Sequence, residues 1–266
     1  MESPVSALVK RGSMVFRPAA EPLSPYLGCF WAITATCETT VQTFPDGSAF
    51  IVAEFSGRTP VRCFVKGPRL GPAQVCFDGA EELVGARLQP GILFAMLGIP
   101  AHELVERREP LSSFIGDAAK ELECELACAH STDARFDALE SFLMERLTNV
   151  FIDERVASAL SLIEDSAGSI RVAELARRCN VGQRQLERLL KKWVGLSPKR
   201  LSRIARFQST LGCTTETPAP QWTQLAGEQG YFDQAQLINE FAALAGATPN
   251  RLFGARVSDS IKARCS

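Results

Sequence analysis

The segment VAELARRCNVGQRQLERLLKKWVGLSP, residues 172–198, decides how the C-terminal part of the chain folds. Its apolar residues recur at helical spacing on either side of Asn180-Val181-Gly182, which has the composition of a short turn. We therefore predict one helix over 172–179 and a second over 183–193. The second helix has an apolar inner face ending at Trp193 and an outer face of basic and amide side chains. Two short helices joined by a glycine-containing turn form a helix-turn-helix.

The same pattern returns nearer the C-terminus. Residues 222–229 predict a helix, Gly230-Tyr231-Phe232 a turn, and Asp233 an N-cap for a second helix over 234–245. Each copy is followed by the same type of motif, Gly-x-Ser/Thr-Pro, which is Gly-Leu-Ser-Pro at 195–198 and Gly-Ala-Thr-Pro at 246–249. We expect a helix from residue 198 to about residue 211 to join the two copies.

Positive charge is concentrated on the first copy. The chain carries a formal net charge of −1, but residues 169–210 hold eleven Lys and Arg against two Glu, a net of +9. Residues 1–168 have a net charge of −9 and residues 211–253 a net charge of −3. A solvated helix face is the ordinary explanation of a charge run, but so large a block on a helix-turn-helix predicts contact with a nucleic-acid backbone.

The residue types on the second helix of the first copy suit the major groove of DNA. Arginine pairs with guanine O6 and N7, and glutamine with adenine N6 and N7, so we predict that Arg184, Gln185 and Arg188 contact base edges. Further basic residues are predicted to contact phosphates and to make binding depend on salt: Lys191, Lys192, Lys199, Arg200, Arg203 and Arg206. The predicted partner is double-stranded promoter DNA.

Two signatures resemble the AraC family of transcription regulators. The first comprises AELA at 173–176, VGQRQLER at 181–188 and VGLSP at 194–198, and the second LAGEQGYFDQ at 225–234 and GATP at 246–249. The resemblance covers residues 153–254 and implies a helical domain whose recognition helices enter successive major grooves. By the same resemblance the DNA-contacting residues are Gly182, Gln183, Arg184, Gln185 and Arg188 in the first helix, and Asp233, Gln234, Gln236 and Asn239 in the second.

The second signature departs from the family pattern. Ala235-Gln236-Leu237 stands where the family often has Ser-His-Phe, and this recognition helix carries no Lys or Arg. We therefore expect the first motif to dominate DNA binding. The alternative is that the acidic second motif binds a protein, such as RNA polymerase or a corepressor, so that the regulator acts mainly through protein contacts.

The N-terminal part has the residue pattern of a β domain. Residues 1–100 alternate short β-branched and aromatic runs with proline and glycine, which predicts a sandwich or a small barrel. Turn chemistry at Pro45-Asp46-Gly47 predicts a hairpin or a tight corner. This part also resembles the β-rich domain that precedes AraC-type modules in a subgroup of regulators of unknown ligand, through residues 22–26, 44–47 and 84–91. The resemblance implies a cupin-like or related β fold.

Helical periodicity begins after residue 100. We expect a short helix over 102–107 and longer helices over 114–128, 134–150 and 154–166. The apolar stripe of 134–150 suits packing on the chain's own sheet and also suits a dimerisation helix, and both interpretations stay open. The expectation is an α+β chain with a β-rich sensing or dimerisation domain over 1–150, an AraC-type double helix-turn-helix domain over 151–255 and a tail over 256–266.

Several classes of protein find no support in the sequence. No run reaches the roughly 18 apolar residues that a membrane helix needs, and the first 17 residues lack a secretory segment, so a cytoplasmic location is expected. The nine cysteines lack metal-site spacing and the only histidines are His102 and His130, so we predict no metal, no cofactor and no catalytic residue. Cys29, Cys63 and Cys76 leave open a sensor of oxidants or electrophiles.

Control of the regulator is expected at the N-terminal domain, through a small-molecule effector of unknown identity or a partner protein. Glu54, Arg62, Arg87 and Asp46 are candidates for lining a pocket, although charged residues more often lie on the surface. A homodimer and a contact with RNA polymerase are further partners that the sequence leaves open.

Overall fold

The N-terminal part is built from two antiparallel sheets. A computed structural model describes residues 7–10, 13–35, 38–56, 59–77, 81–216 and 221–253. Its strands are β1 (Ala7–Lys10), β2 (Ser13–Pro18), β3 (Leu27–Ala35), β4 (Thr39–Thr43), β5 (Ala49–Ser56), β6 (Thr59–Lys66), β7 (Ala73–Phe77), β8 (Glu81–Leu88) and β9 (Arg108–Pro110). One sheet has the order β2-β3-β8-β5-β6-β9 and the other the order β1-β4-β7. The predicted strand-rich N-terminal domain is confirmed.

The larger sheet separates two cores because successive side chains along a strand point to opposite faces. On β3, Phe30 and Ala32 belong to a core shared with helices, whereas Trp31 and Ile33 belong to a core between the two sheets. All four side chains are buried. The sheet is therefore covered on both faces, which explains why its strand β3 is almost continuously apolar.

The Pro45-Asp46-Gly47 segment is a corner, since β4 and β5 belong to different sheets. Gly47 has a φ of 79°, which only glycine adopts without strain. Asp46 fixes the corner because its Oδ1 accepts a hydrogen bond from the Ser48 amide at 3.0 Å. Its Oδ2 accepts one from Arg87 Nε at 2.7 Å. Of the two predicted geometries, the structure has the tight corner.

The other regular elements of the described chain are helices. They are α1 (Ile92–Leu97), a single 3-10 turn (Ala101–Glu103), α2 (Ser112–Ile115), α3 (Asp117–Cys128), α4 (Thr132–Leu147), α5 (Glu154–Asp165), α6 (Val172–Arg178), α7 (Gln183–Val194), α8 (Pro198–Glu216), α9 (Trp222–Glu228) and α10 (Gln234–Ala245). None of those described is long and apolar enough to span a bilayer.

Three helix predictions need correction. The helix expected over 102–107 is only the 3-10 turn, because Glu106 has a φ of 61°, which ends helical geometry. The helix expected over 114–128 is split into α2 and α3 at Gly116, which has a φ of 58°. The connecting helix α8 continues beyond residue 211 to Glu216. No proline interrupts the sequence between Pro198 and Pro218.

Helix α4 packs on its own domain. Phe136, Leu139, Leu143 and Leu147 of its apolar stripe are fully buried in the core between the helices and the larger sheet. A stripe that is buried within one chain cannot serve as the seam of a dimer. The dimerisation interpretation of this stripe is therefore wrong, and a homodimer through another surface stays a prediction.

Candidate nucleic-acid interface

Helices α6 and α7 form the first helix-turn-helix. Leu175 and Ala176 of α6 pack against Leu186 and Leu190 of α7 in one buried core. The turn between the helices closes at Asn180, whose φ of 53° lies in the left-handed region that asparagine tolerates. The local sequence therefore sets the angle between the helices, and with it the direction in which the outer face of α7 points.

The exposed face of α7 presents the predicted base-reading residues to solvent. Arg184 and Arg188 are exposed and make no ion pair or side-chain hydrogen bond with any other described residue. Gln183 is exposed at the first position of the helix, Gly182 is its exposed N-cap, and Gln185 is half-buried. The first turn contains no acidic residue, so the positive end of the helix dipole is not neutralised there.

The linker helix α8 presents two predicted phosphate contacts to solvent, Lys199 and Arg200, and uses two others internally. Lys199 is exposed and unpaired among the described residues. Arg203 Nε donates to Glu240 Oε1 of α10 at 3.1 Å, and the Glu240 side chain is only 8% exposed. Arg206 Nη2 donates to the Gly168 carbonyl at 3.0 Å. Arg203 and Arg206 thus connect α8 to neighbouring elements.

Helices α9 and α10 form the second helix-turn-helix, and most of its predicted contacts are engaged within the motif. The Asp233 carboxylate caps α10 by accepting from the Gln236 amide at 2.7 Å. Gln236 Oε1 accepts from the Phe232 amide at 2.8 Å. Gln234 Oε1 accepts from Thr223 Oγ1 at 2.7 Å. Asn239 is exposed. These bonds stabilise the turn and leave fewer groups for reading bases.

A wide groove of about 900 Å³ runs between the two motifs. Basic side chains of Arg171, Lys199, Arg203 and Arg206 line it together with polar residues of α10. Sequence reasoning missed two residues there. Arg171 immediately precedes α6, and the only feature of the sequence that pointed to it was its place in the basic block of residues 169–210. Phe232 is 94% exposed beside the α10 N-terminus, and a lone aromatic residue in a turn carries no sequence signal.

Two families of domains match the chain. A family described as a helix-turn-helix domain matches residues 175–255. The chain carries an AraC-type helix-turn-helix domain. A family described as a domain of unknown function (DUF6597) matches residues 15–110, which include most of the two sheets. The DNA-binding class of the C-terminal domain is confirmed, whereas the assignment of individual DNA contacts stays a prediction.

Solved structures that are similar to the chain include those of ToxT from Vibrio cholerae. One is 9% identical with a TM-score of 0.44, covering 84% of this chain and 97% of that chain. ToxT of Vibrio cholerae O395 bound to (E)-4-(8-methylnaphthalen-1-yl)but-3-enoic acid is 10% identical with a TM-score of 0.46, covering 84% and 96%. The unsaturated fatty acid-bound protein of strain SCE256 is 10% identical with a TM-score of 0.40, covering 95% and 96%. Among curated proteins no sequence matches.

The AraC-type domain is docked on the sheet domain through the C-terminal end of α7. The ring of Trp193 lies 4.6 Å from that of Phe94 on α1, in edge-to-face geometry. Lys192 Nζ lies 4.7 Å from the same Phe94 ring. Gly195 follows with a φ of 86°, and a Cβ there would meet Val105 at 2.8 Å and the Ala101 carbonyl oxygen at 2.9 Å. Lys192, predicted to contact a phosphate, therefore also contacts the sheet domain.

A second contact between the domains involves the corner between the sheets. Phe44 is buried in the core of the AraC-type domain, with its ring 6.0 Å from that of Phe207 on α8. Gln208 Nε2 donates to the Pro45 carbonyl at 2.6 Å. Gln42 Nε2 donates to the Ala245 carbonyl, at the end of α10, at 2.9 Å. The linker helix and the second recognition helix are thus both fixed to the sheet domain.

The buried thiols of the sheet domain are poorly suited to sensing oxidants. Burial raises the pKa of Cys29 to about 11, with the nearby Arg87 opposing the shift. Burial, together with the carboxylate of Glu123, raises the pKa of Cys63 to about 12. Reactivity requires the thiolate, so both thiols are protonated and inert at neutral pH. Cys76, the third candidate, is exposed.

Proposed function

We propose that the chain is a sequence-specific regulator of transcription that binds promoter DNA chiefly through the N-terminal half of α7, under the control of a small molecule at its sheet domain. The observation that supports this best is the pair Arg184 and Arg188, exposed and unpaired among the described residues on the outer helix of an AraC-type motif. An unpaired guanidinium can bond guanine without first losing an intramolecular partner.

The remaining predicted contacts take different roles in this proposal. Gly182 and Gln183 lie at the helix N-terminus, where backbone amides suit a phosphate. Lys199 contacts a phosphate from the linker helix, and Lys191, paired with Glu187 at 3.0 Å, exchanges that partner for a phosphate. Arg203 holds α10 in place through Glu240. The first motif therefore supplies most of the affinity.

The roles of these residues are tested by titrating a promoter fragment at several salt concentrations. Arg188→Ala should weaken binding by about 1–3 kcal/mol and relax the choice at one base position. Lys199→Ala should weaken binding equally for all sequences and lower the slope of log affinity against log salt by about 0.9. Arg155→Ala is the matched control, because Arg155 is an exposed arginine on α5 that pairs with Asp153. Equal affinity of Arg188→Ala and Arg155→Ala would overturn the assignment.

A footprint separates the proposed mode from its alternative. Protection over two successive turns of DNA would mean that α10 also lies in a major groove. Protection over one turn would mean that the second motif does not read DNA, and it would favour a protein partner for that surface. The engagement of Asp233, Gln234 and Gln236 within the motif leads us to expect weaker protection on that side.

The sheet domain contains a cavity that suits control by a small molecule. A space of about 210 Å³ lies between the two sheets, with Trp31, Phe50 and Val75 among its walls. Phe44 also lines it, and the same ring packs in the core of the AraC-type domain. A ligand in this cavity would touch a side chain that both domains share. Its occupancy would be coupled to DNA binding if the ligand and the DNA favour different positions of that ring.

A further inference from the structure

Much of the wall of the cavity between the sheets is apolar. The apolar lining residues come from both sheets and from the corner between them, and include Met14, Trp31, Ile33, Phe44, Phe50, Val75 and Leu83. Trp31 and Phe50 form an edge-to-face pair with ring centroids 6.3 Å apart. A volume of about 210 Å³ lies below the roughly 300–1,000 Å³ of sites for drug-sized ligands. The cavity therefore fits the body of a small aromatic or branched apolar molecule.

Among the charged residues that line the cavity, Lys66 is the one half-buried cation without an ion-pair partner in the described part of the chain. Arg108 pairs with Glu54, Arg69 with Glu106, and Asp46 with Arg87 outside the lining. Arg107 is exposed to solvent. Lys66, at the end of β6 and opposite Phe50 in the strand register, forms no ion pair in the described chain.

The charged form of Lys66 is destabilised in these surroundings. Burial lowers the pKa of the ammonium below its ordinary value, and the neighbouring Arg108 and Arg69 add to the effect more than Glu54 offsets it. An anion placed against Lys66 would remove that penalty.

Donors outnumber free acceptors around the same cavity. Trp31 Nε1 and Arg69 Nε, on two of the lining residues, are buried and have no hydrogen-bond partner among the residues that the structure describes. The carboxylates of Asp46 and Glu106 are already engaged by Arg87 and Arg69. A ligand that presents acceptor oxygens is therefore matched by the polar groups of the lining, and a ligand that presents donors is not.

We propose that the cavity binds a small apolar monocarboxylate, with its hydrocarbon body between the sheets and its carboxylate against Lys66. The proposal rests on the effector control proposed above and gives that effector its chemical class. Lys66 selects the charge of the ligand, and the aromatic walls select a body without polar groups. Because Phe44 closes one side of the cavity, the size of the body determines how firmly that ring is held against Phe207.

The test is isothermal titration of the full chain, without DNA, with three probes of equal shape: 3-phenylpropanoate, 3-phenylpropan-1-ol and 3-phenylpropylammonium. The acid is expected to bind at least about tenfold more tightly than the alcohol, since a charge-assisted contact replaces a neutral one. The ammonium is expected not to bind. Lys66→Met should abolish the preference for the acid, and Lys66→Arg should keep it.

Arg62→Met is the matched control, because Arg62 lies on the same strand, is exposed and does not line the cavity. It should bind the acid as the wild type does. Equal binding of acid and alcohol, a preference that survives Lys66→Met, or no binding of any probe would overturn the proposal. If the full chain binds the acid but not the promoter fragment, only the proposed function is overturned. If it binds the promoter fragment but not the acid, only the class of ligand is overturned.

Discussion

Replacing Phe44 by alanine tests whether the sheet domain and the AraC-type domain unfold as one unit. Phe44 is 6% exposed, and its ring lies 6.0 Å from that of Phe207. Truncating a buried phenylalanine to alanine costs about 3–5 kcal/mol. One side of the Phe44 ring faces the cavity, where it has fewer contacts to lose, so we expect a loss of about 3 kcal/mol. In a chain of this size that corresponds to a fall in Tm of about 6–12 °C.

The unfolding of this variant should also change in form. Helical signal reports mainly on the AraC-type domain, and calorimetry reports on both domains. We expect the wild type to unfold in one calorimetric transition. With the shared ring removed, we expect two transitions, with the helical signal lost in the first. Phe50→Ala is the control, because Phe50 lines the same cavity and packs only against the core between the sheets. It should lower the Tm without splitting the transition.

Two results would refute this reasoning. If Phe44→Ala unfolds in one transition at the wild-type temperature, the ring does not hold the domains together. If Phe50→Ala splits the transition in the same way, the effect arises from the cavity and not from the contact with Phe207.

Three further predictions concern charge and thiol chemistry. Arg203→Ala should lower the free energy of unfolding by about 1–3 kcal/mol, because it leaves the buried Glu240 carboxylate unpaired; Glu240→Gln in the same chain should restore part of the loss in denaturant titrations, and full stability of Arg203→Ala would show that the pair is not structural. Cys29 and Cys63, with pKa values raised to about 11 and about 12, should resist a thiol reagent at pH 8 in the folded chain while exposed cysteines react, as mass spectrometry of the labelled peptides would show; rapid labelling of either would contradict their burial. Because burial lowers the pKa of Lys66, the unfolded chain binds more protons than the folded chain between that lowered pKa and the ordinary value of 10.5. The stability of the wild type relative to Lys66→Met should therefore rise as the pH rises through that interval, and a constant difference would count against an unpaired ammonium.

The AraC-type domain was predictable in detail because its signals are local. Caps, turns and apolar spacing within a few residues set the helices at 183–194 and 234–245, so their bounds agree with the prediction to within one residue. The corner at Asp46 could only be narrowed to two geometries. The choice depends on which sheet the next strand joins, and that is decided by contacts far along the chain.

The contacts that organise the site were not predictable for the same reason. Arg203 has the residue type of a phosphate ligand, and its partner Glu240 lies 37 positions away. Trp193 looked like an ordinary member of the inner face of its helix, yet it contacts Phe94 of the other domain. Pairings of this kind leave no periodicity in the sequence, so they become visible only when both segments are placed in space.

Because α7 is docked at its C-terminal end, a small tilt of the helix displaces its N-terminal end. The helix has 12 residues and so spans about 18 Å at a rise of 1.5 Å per residue. Trp193 and Lys192 are held by α1 at one end, while Arg184 lies near the other. A tilt of roughly 5° about the docked end would move the far end by about 1.6 Å, given that length. Hydrogen bonds to base edges tolerate displacements of only about 0.5 Å. In the proposed binding mode, the apolar segment that forms α1 therefore fixes the position of Arg184 and Arg188 relative to the DNA through its contact with the C-terminal end of the same helix.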